Sequence, residues 1–119
     1  MDDHISWLFE VAVKPGQLDD FKALLAEMVE STRTEPGALV YQLSISDDGS
    51  AVHLYERYAD SVAVLAHVGT FGERFAGRFL AAVDPTRFVV YGSASDEVKE
   101  ALAAFGPAYM TPFGGFARH

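Results

Sequence analysis

The stretch EPGALVYQLSISDDGSAVHLYERYAD, Glu35 to Asp60, decides the fold of this chain. Leu39, Tyr41, Leu43 and Ile45 fall at alternate positions, the period of a strand, and line one side of it. Asp47-Asp48-Gly49-Ser50 then supplies hairpin turn chemistry before a second run, Val52 to Tyr58. Two neighbouring strands follow. The hairpin also carries Gln42, His53, Glu56 and Arg57 among its apolar residues, and a further histidine, His67, stands one helix later. Those polar residues raise the question of a site.

Upstream, HISWLFEVAVKPG alternates Ile5, Trp7, Phe9, Val11 and Val13 against Ser6, Leu8, Glu10 and Ala12, and Pro15-Gly16 stops this first strand. QLDDFKALLAEMVESTRTEPG places Leu18, Phe21, Leu25 and Met28 on one helical face. Asp19 and Asp20 stand in its first turn, where the macrodipole favours acids, and Pro36-Gly37 ends it. Downstream, Asp60 or Ser61 caps a second helix through about Val68, which continues in broken form to Asp84-Pro85, with Gly69 and Gly72 marking the break. TRFVVYGSAS is a fourth strand, and SDEVKEALAAFG a short helix capped by Ser95. The tail PAYMTPFGGFARH is aromatic, proline-broken and too apolar to hang free.

The order β-α-β-β-α-β describes an α+β fold of the ferredoxin-like kind, an antiparallel sheet with helices on one face. The 119 residues make one domain, with a core from about 5 to 93 and a C-terminal extension from 94 to 119. Strand two is apolar on both sides, because Val40 alternates with Leu39 and Tyr41. The sheet face away from the helices therefore needs a cover: a second copy packed across a two-fold axis, or the aromatic tail folded back.

Composition bounds the partners. A net charge of −8 disfavours nucleic acid and anionic membrane surfaces, which would repel the chain. Without cysteine there is no disulfide framework and no thiolate zinc site, which fits a reducing cytoplasm. The acidic start MDDHISW is unlike a signal peptide, and no apolar run approaches the roughly 18 residues of a membrane span. No Gly-x-Gly-x-x-Gly follows a strand, so a nicotinamide or flavin site has no support. His4 and His119 stand near the ends of the chain, where they are poorly placed to complete a metal site. The expectation is a protein without metal or cofactor.

On strand three, Val52, Leu54, Glu56 and Tyr58 point one way while His53, Tyr55 and Arg57 point the other. Glu56 shares its face with Leu54, which calls for a raised carboxyl pKa or a charged partner, and His67 is the candidate partner. Such a pair serves either as a satisfied structural contact or as a base and its orienter. Trp7 is core or a stacking wall for an aromatic ligand. Tyr41, Tyr58 and Tyr91 are strand formers, or phenols that donate to a bound oxygen.

EPGALVYQL followed by HLYERYADSVAVLAHVGT resembles the antibiotic biosynthesis monooxygenase domain, a family that includes small quinol monooxygenases and anthrone oxygenases. The matching residues are Glu35-Pro36-Gly37 and Tyr41, then Glu56, Tyr58, Asp60, Ala63 and His67 in the spacing E-x-Y-x-D-x-x-A-x-x-x-H. The resemblance covers roughly Ile5 to Ser93. It implies a dimeric α+β barrel with a pocket in each subunit between sheet and helices. For some members it also implies oxygenation of electron-rich phenols by dioxygen without metal or flavin. Such chemistry needs a base, a dry pocket and donors for a developing oxyanion. Glu56 and His67 become the candidate catalytic residues, with Trp7, Tyr41, Tyr58 and Tyr91 as candidate substrate-binding residues.

Two departures limit what the resemblance implies. The chain has no asparagine, so the strand-borne asparagine of several anthrone oxygenases and haem-degrading relatives is absent. Glu73 to Asp84 holds no histidine to serve as the axial ligand of the haem-degrading branch. Two functions remain: a cofactor-independent monooxygenase acting on a quinol or polyketide-like aromatic, or a non-catalytic dimeric barrel that binds a small apolar ligand.

Overall fold

In the computed structural model, which describes residues 2–118, the hairpin forms as strands β2 (Ala38–Ile45) and β3 (Ala51–Tyr58). His119 lies outside the described residues. Strand β1 is Ile5–Val13 and helix α1 is Leu18–Arg33. Helices α2 (Ser61–Arg74) and α3 (Ala76–Ala82) lead to strand β4 (Val83–Tyr91). Helix α4 (Asp96–Leu102), one 3-10 turn (Ala103–Phe105) and a short strand β5 (Ala108–Met110) complete the chain. The sheet order is β2-β3-β1-β4-β5. The first four strands pair antiparallel, and β5 lies parallel to β4, so the sheet is mixed where the sequence predicts a purely antiparallel one.

The α+β ferredoxin-like architecture follows from alternation. Ile5, Trp7, Phe9 and Val11 of β1 are buried and stand across from Tyr58, Glu56, Leu54 and Val52 of β3. Phe21, Leu24, Leu25 and Met28 of α1, Val64 of α2 and Phe79 of α3 close the core over that face. Asp60 is the α2 cap, its carboxylate accepting from the Ala63 N–H at 2.9 Å. Ser95 caps α4 in the same way through the Val98 N–H, at 3.2 Å.

Four local expectations are corrected. Helix α2 runs through Gly69 and Gly72, and the break comes at Phe75, whose backbone leaves helical geometry at φ −126°. Its ring is buried there beneath the guanidinium groups of Arg74 and Arg78, 4.9 and 5.8 Å from the ring centroid. Strand β4 starts at Val83, ahead of Pro85. Proline is tolerated because a bulge at Thr86 breaks the ladder to β1, and β5 pairs only with Val89 to Tyr91. A second bulge at Leu39 separates it from the row of Tyr41 and Leu43 and leaves it exposed. The tail, finally, adds β5 to the sheet edge, and Lys99 sits over the Tyr109 ring at 5.2 Å. Beyond β5, Phe113 and Phe116 are exposed.

The outer sheet face carries Ser6, Glu10, His53, Tyr55, Arg57 and Tyr91, with His53 Nε2 lying 3.5 Å from Glu10 Oε1. Tyr55 and Tyr91 are each 39% exposed on it. Among the described residues no helix is long and apolar enough to cross a membrane.

The glycines give an opposed pair of expected results. A methyl at Gly37 would meet the Ala63 Cβ at 2.5 Å, so Gly37→Ala should cost roughly 1–3 kcal/mol through overpacking. Nothing lies within 4 Å of a Cβ at Gly69 or Gly72, and Gly69 is in the helix interior. Gly69→Ala should therefore stabilise by roughly 0.5–1 kcal/mol. Urea unfolding of the two variants reads both signs, and equal effects would contradict the packing account.

Candidate active site

One row across the sheet builds the floor of the site. Trp7 of β1 stands opposite Glu56 of β3, and Glu56 stands opposite Tyr41 of β2, all three facing the helices. Cross-strand neighbours on one face touch directly, so strand register alone gathers an indole, a carboxylate and a phenol. Two positions along β3, Tyr58 sits on the same face and donates its hydroxyl to Glu56 Oε1 at 2.6 Å.

His67 closes the row from above. It lies three residues beyond buried Val64 on the inward side of α2, and its Nε2 is 3.3 Å from Glu56 Oε1. Its other nitrogen, Nδ1, lies 3.1 and 3.3 Å from the two carboxylate oxygens of Glu35. Glu35 follows α1 in a turn held by the Ala38 N–H on the Glu35 carbonyl and by the Ala59 N–H on the Gly37 carbonyl. Gly37 is packed directly on Ala63, a helical turn before His67. The residues of the spaced motif therefore act together to place one imidazole. Asp60 caps α2, Ala63 receives Gly37, and His67 falls between two carboxylates. Glu35 carried no role in the sequence reading. Its contact with His67 spans 32 positions, so no local pattern reveals it.

Burial opposes a charge on His67, but the hydrogen bond and charge of Glu56, with those of Glu35, outweigh it and raise the imidazole pKa above its usual range. Protonation of the ring between the two acids is thus favoured, and His67 is the partner that buried Glu56 required. Burial first, and then the charge of Glu56, push the Tyr58 and Tyr41 phenols far up, so both stay neutral hydroxyls. Tyr58 spends its proton on Glu56. The Tyr41 hydroxyl is buried near the Thr32 side chain, without a partner at good hydrogen-bond geometry.

Beside this cluster lies a cavity of about 40 Å³ with Trp7, Phe9, Tyr41, Glu56, His67 and Phe105 in its wall. The wall is otherwise apolar. Trp7, Tyr41, Glu56 and His67 are thus brought together, and Tyr58 stands behind Glu56 without reaching the cavity. Tyr91 is separated from them: it is on the outer sheet face, where it borders a depression with Arg57 and Pro112. Among the described residues no group of three His, Asp or Glu side chains is arranged to hold a metal ion. Glu35 and Glu56 address opposite nitrogens of one ring instead.

Comparison with known proteins gives the family and the fold. The sequence profile of the antibiotic biosynthesis monooxygenase family matches residues 5–104. Rv0793 of Mycobacterium tuberculosis, whose name marks it as a candidate monooxygenase, is 37% identical over 57 residues, 48% of this chain and 56% of that protein. The matched stretch thus spans only about half of that relative's length. The crystal structure of MupZ from Pseudomonas fluorescens superposes with a TM-score of 0.87 at 25% identity, covering 98% of this chain and 96% of that one. SnoaB, a cofactor-independent oxygenase from Streptomyces nogalater, shares the fold at a TM-score of 0.67 and 15% identity, covering 78% of this chain and 95% of its own. At 98% coverage the superposition on MupZ includes nearly all of the C-terminal extension.

Proposed function

The chain belongs to the antibiotic biosynthesis monooxygenase family, and from that premise we propose that it is a cofactor-independent monooxygenase that oxidises an electron-rich quinol or polyketide-like phenol with dioxygen. One observation carries the reading: a buried carboxylate, Glu56, faces a small apolar cavity beside an unpartnered phenol hydroxyl, Tyr41. Both contacts made by Glu56 fall on Oε1, so Oε2 is left to take a proton. Substrate binds with its hydroxyl between Glu56 and Tyr41. Glu56 removes the proton, Tyr41 donates to the oxyanion, and the His67 cation lowers the energy of the new negative charge. The electron-rich anion then reduces dioxygen. One oxygen atom stays on carbon and the other leaves as water, SH2 + O2 → SO + H2O, with every electron supplied by the substrate. The aromatic wall keeps water from the anion.

The second reading is a non-catalytic binding module, and the pairing of Glu35, His67, Glu56 and Tyr58 into one satisfied network favours it. Oxygen uptake with menadiol and anthrone, after subtraction of spontaneous autoxidation, separates the two. Uptake no faster than background across several such phenols leaves the binding module standing.

A two-fold dimer belongs to the same proposal. Tyr55 and Tyr91 on the outer sheet face, with the acidic chain kept off nucleic acid and membrane, point to a second copy as cover. Light scattering at micromolar concentration should then give a mass near twice 12.9 kDa. A monomer mass removes the dimer. The absence of cysteine supports a cytoplasmic setting.

A further inference from the structure

The cavity beside Glu56 is too small for the substrate class just proposed. An apolar cavity of roughly 150 Å³ accepts a benzene-sized ring. The space here is about 40 Å³. Some part of the wall must give way. Trp7, Phe9, Leu54 and Phe88 stand on β1, β3 and β4, where the antiparallel ladders hold them. Phe71 and His67 stand on the 14-residue helix α2.

Leu102 and Phe105 differ. They come from the 7-residue helix α4 and the single 3-10 turn that follows, which ends at Gly106 in the left-handed region, φ +59°. A hydrogen bond from the Ser95 N–H to Ser61 Oγ, 3.1 Å, ties the start of that segment to α2. Beyond it the backbone is next tied at Ala108, where β5 pairs with β4, so between these two anchors Phe105 itself is held by side-chain packing. The Phe105 ring meets Phe9 edge-on with centroids 5.5 Å apart, and Phe71 and Phe88 at 6.3 Å each. Three aromatic rings thus surround a fourth, the arrangement an aromatic guest would itself adopt.

We propose that Phe105 is the specificity-determining plug of this site: its ring occupies the substrate ring's place and leaves with the turn Ala103–Phe105, admitting a planar phenol whose hydroxyl then meets Glu56 and Tyr41. The last clause rests on the monooxygenase reading, while the plug does not. Gly106 is the pivot, since its left-handed backbone needs no side-chain contact and a Cβ there would meet nothing within 4 Å. The extension therefore sets which rings enter.

The test uses Phe105→Ala, with Phe105→Leu as a milder form and Phe21→Leu as a core control that does not line the cavity. Calorimetry with 1-naphthol, a fused-ring phenol, measures affinity. Acrylamide quenching of Trp7, the only tryptophan and part of the same wall, measures opening without any ligand. Phe105→Ala should bind 1-naphthol at least tenfold more tightly than wild type and at least double the quenching constant. Phe105→Leu should move both the same way by a smaller factor, which keeps the test intact if the alanine variant does not fold. Phe21→Leu should change neither by more than twofold. Weaker naphthol binding with Trp7 still shielded overturns the plug and makes Phe105 an ordinary wall. Raised quenching with no naphthol bound by any variant upholds the plug and sinks the phenol reading.

Discussion

Replacing Glu56 by Gln should lower turnover of an electron-rich phenol by roughly 10²- to 10⁴-fold, the usual contribution of a positioned general base, with little change in KM. The amide keeps the shape of the carboxylate and can still accept the Tyr58 hydroxyl, now 2.6 Å from Oε1. It cannot accept a proton. Loss confined to kcat, with KM unchanged, is the mark of a group that acts in the transition state. The charge removed beside His67 lowers stability as well, so rates are compared at a temperature where both proteins are folded. Circular dichroism and steady-state oxygen uptake on one preparation measure both. Equal kcat in variant and wild type removes Glu56 from the chemistry. Tyr41→Phe deletes one donor to the oxyanion at little structural cost, because that hydroxyl makes no well-formed hydrogen bond and has only the Thr32 side chain near it. A rate loss there, with unchanged stability, would locate the oxyanion.

Much of the fold was legible because its signals are local. Period-two alternation set the faces of β1 and β3 and put Glu56 inward and His53 outward, as found. Asp60 and Ser95 announced their helices by the chemistry of the first turn. Register made the rest of the floor, since three strands in their observed pairing align Trp7, Glu56 and Tyr41.

What escaped depends on packing between distant segments. Glu35 reaches His67 only because Gly37 and Ala63 bring two segments together, and although both residues belong to the spaced family match, their separation of 32 positions gives no sign that they touch. The bulges at Leu39 and Thr86 shift parity by one residue, which alternation cannot foresee. Tyr91 shows the same limit. Phe88, Val89 and Val90 form a continuous apolar run, and such a run does not say which of its members faces inward. Phe88 and Val90 do, so Tyr91 falls on the outer face, away from Glu56. Propensity alone puts the helix break at the glycines, yet it falls at Phe75, whose ring is buried. Tertiary contact overrode local preference there.

His67→Leu should destabilise the protein by roughly 3–5 kcal/mol, the scale for removing one partner of a buried ionic cluster, because it leaves the Glu35 and Glu56 carboxylates without their cation. That is a large share of the roughly 5–15 kcal/mol that holds a domain of this kind folded. The pH dependence gives the mechanism away. His67 has a raised pKa in the folded state, so its contribution is fully present below the unfolded histidine value of about 6.5 and is lost as pH rises through the folded value. Wild type should therefore lose stability on the alkaline side of about pH 6.5, and His67→Leu should lack that fall. Glu35→Gln, which leaves one of the two acids, lowers the folded value, so the fall should still begin near about pH 6.5 but be smaller and end at lower pH. Urea unfolding of the three proteins between about pH 5 and pH 9 measures the curves, and parallel curves for wild type and His67→Leu would show that the ring carries no charge. Joint replacement of Glu35, Glu56 and His67 by leucine should recover much of the lost stability, since apolar packing can replace a buried ion cluster at little net cost. It should recover no oxygen uptake. A chain that folds as well without the cluster as with it has kept these three residues for what they do to a bound molecule.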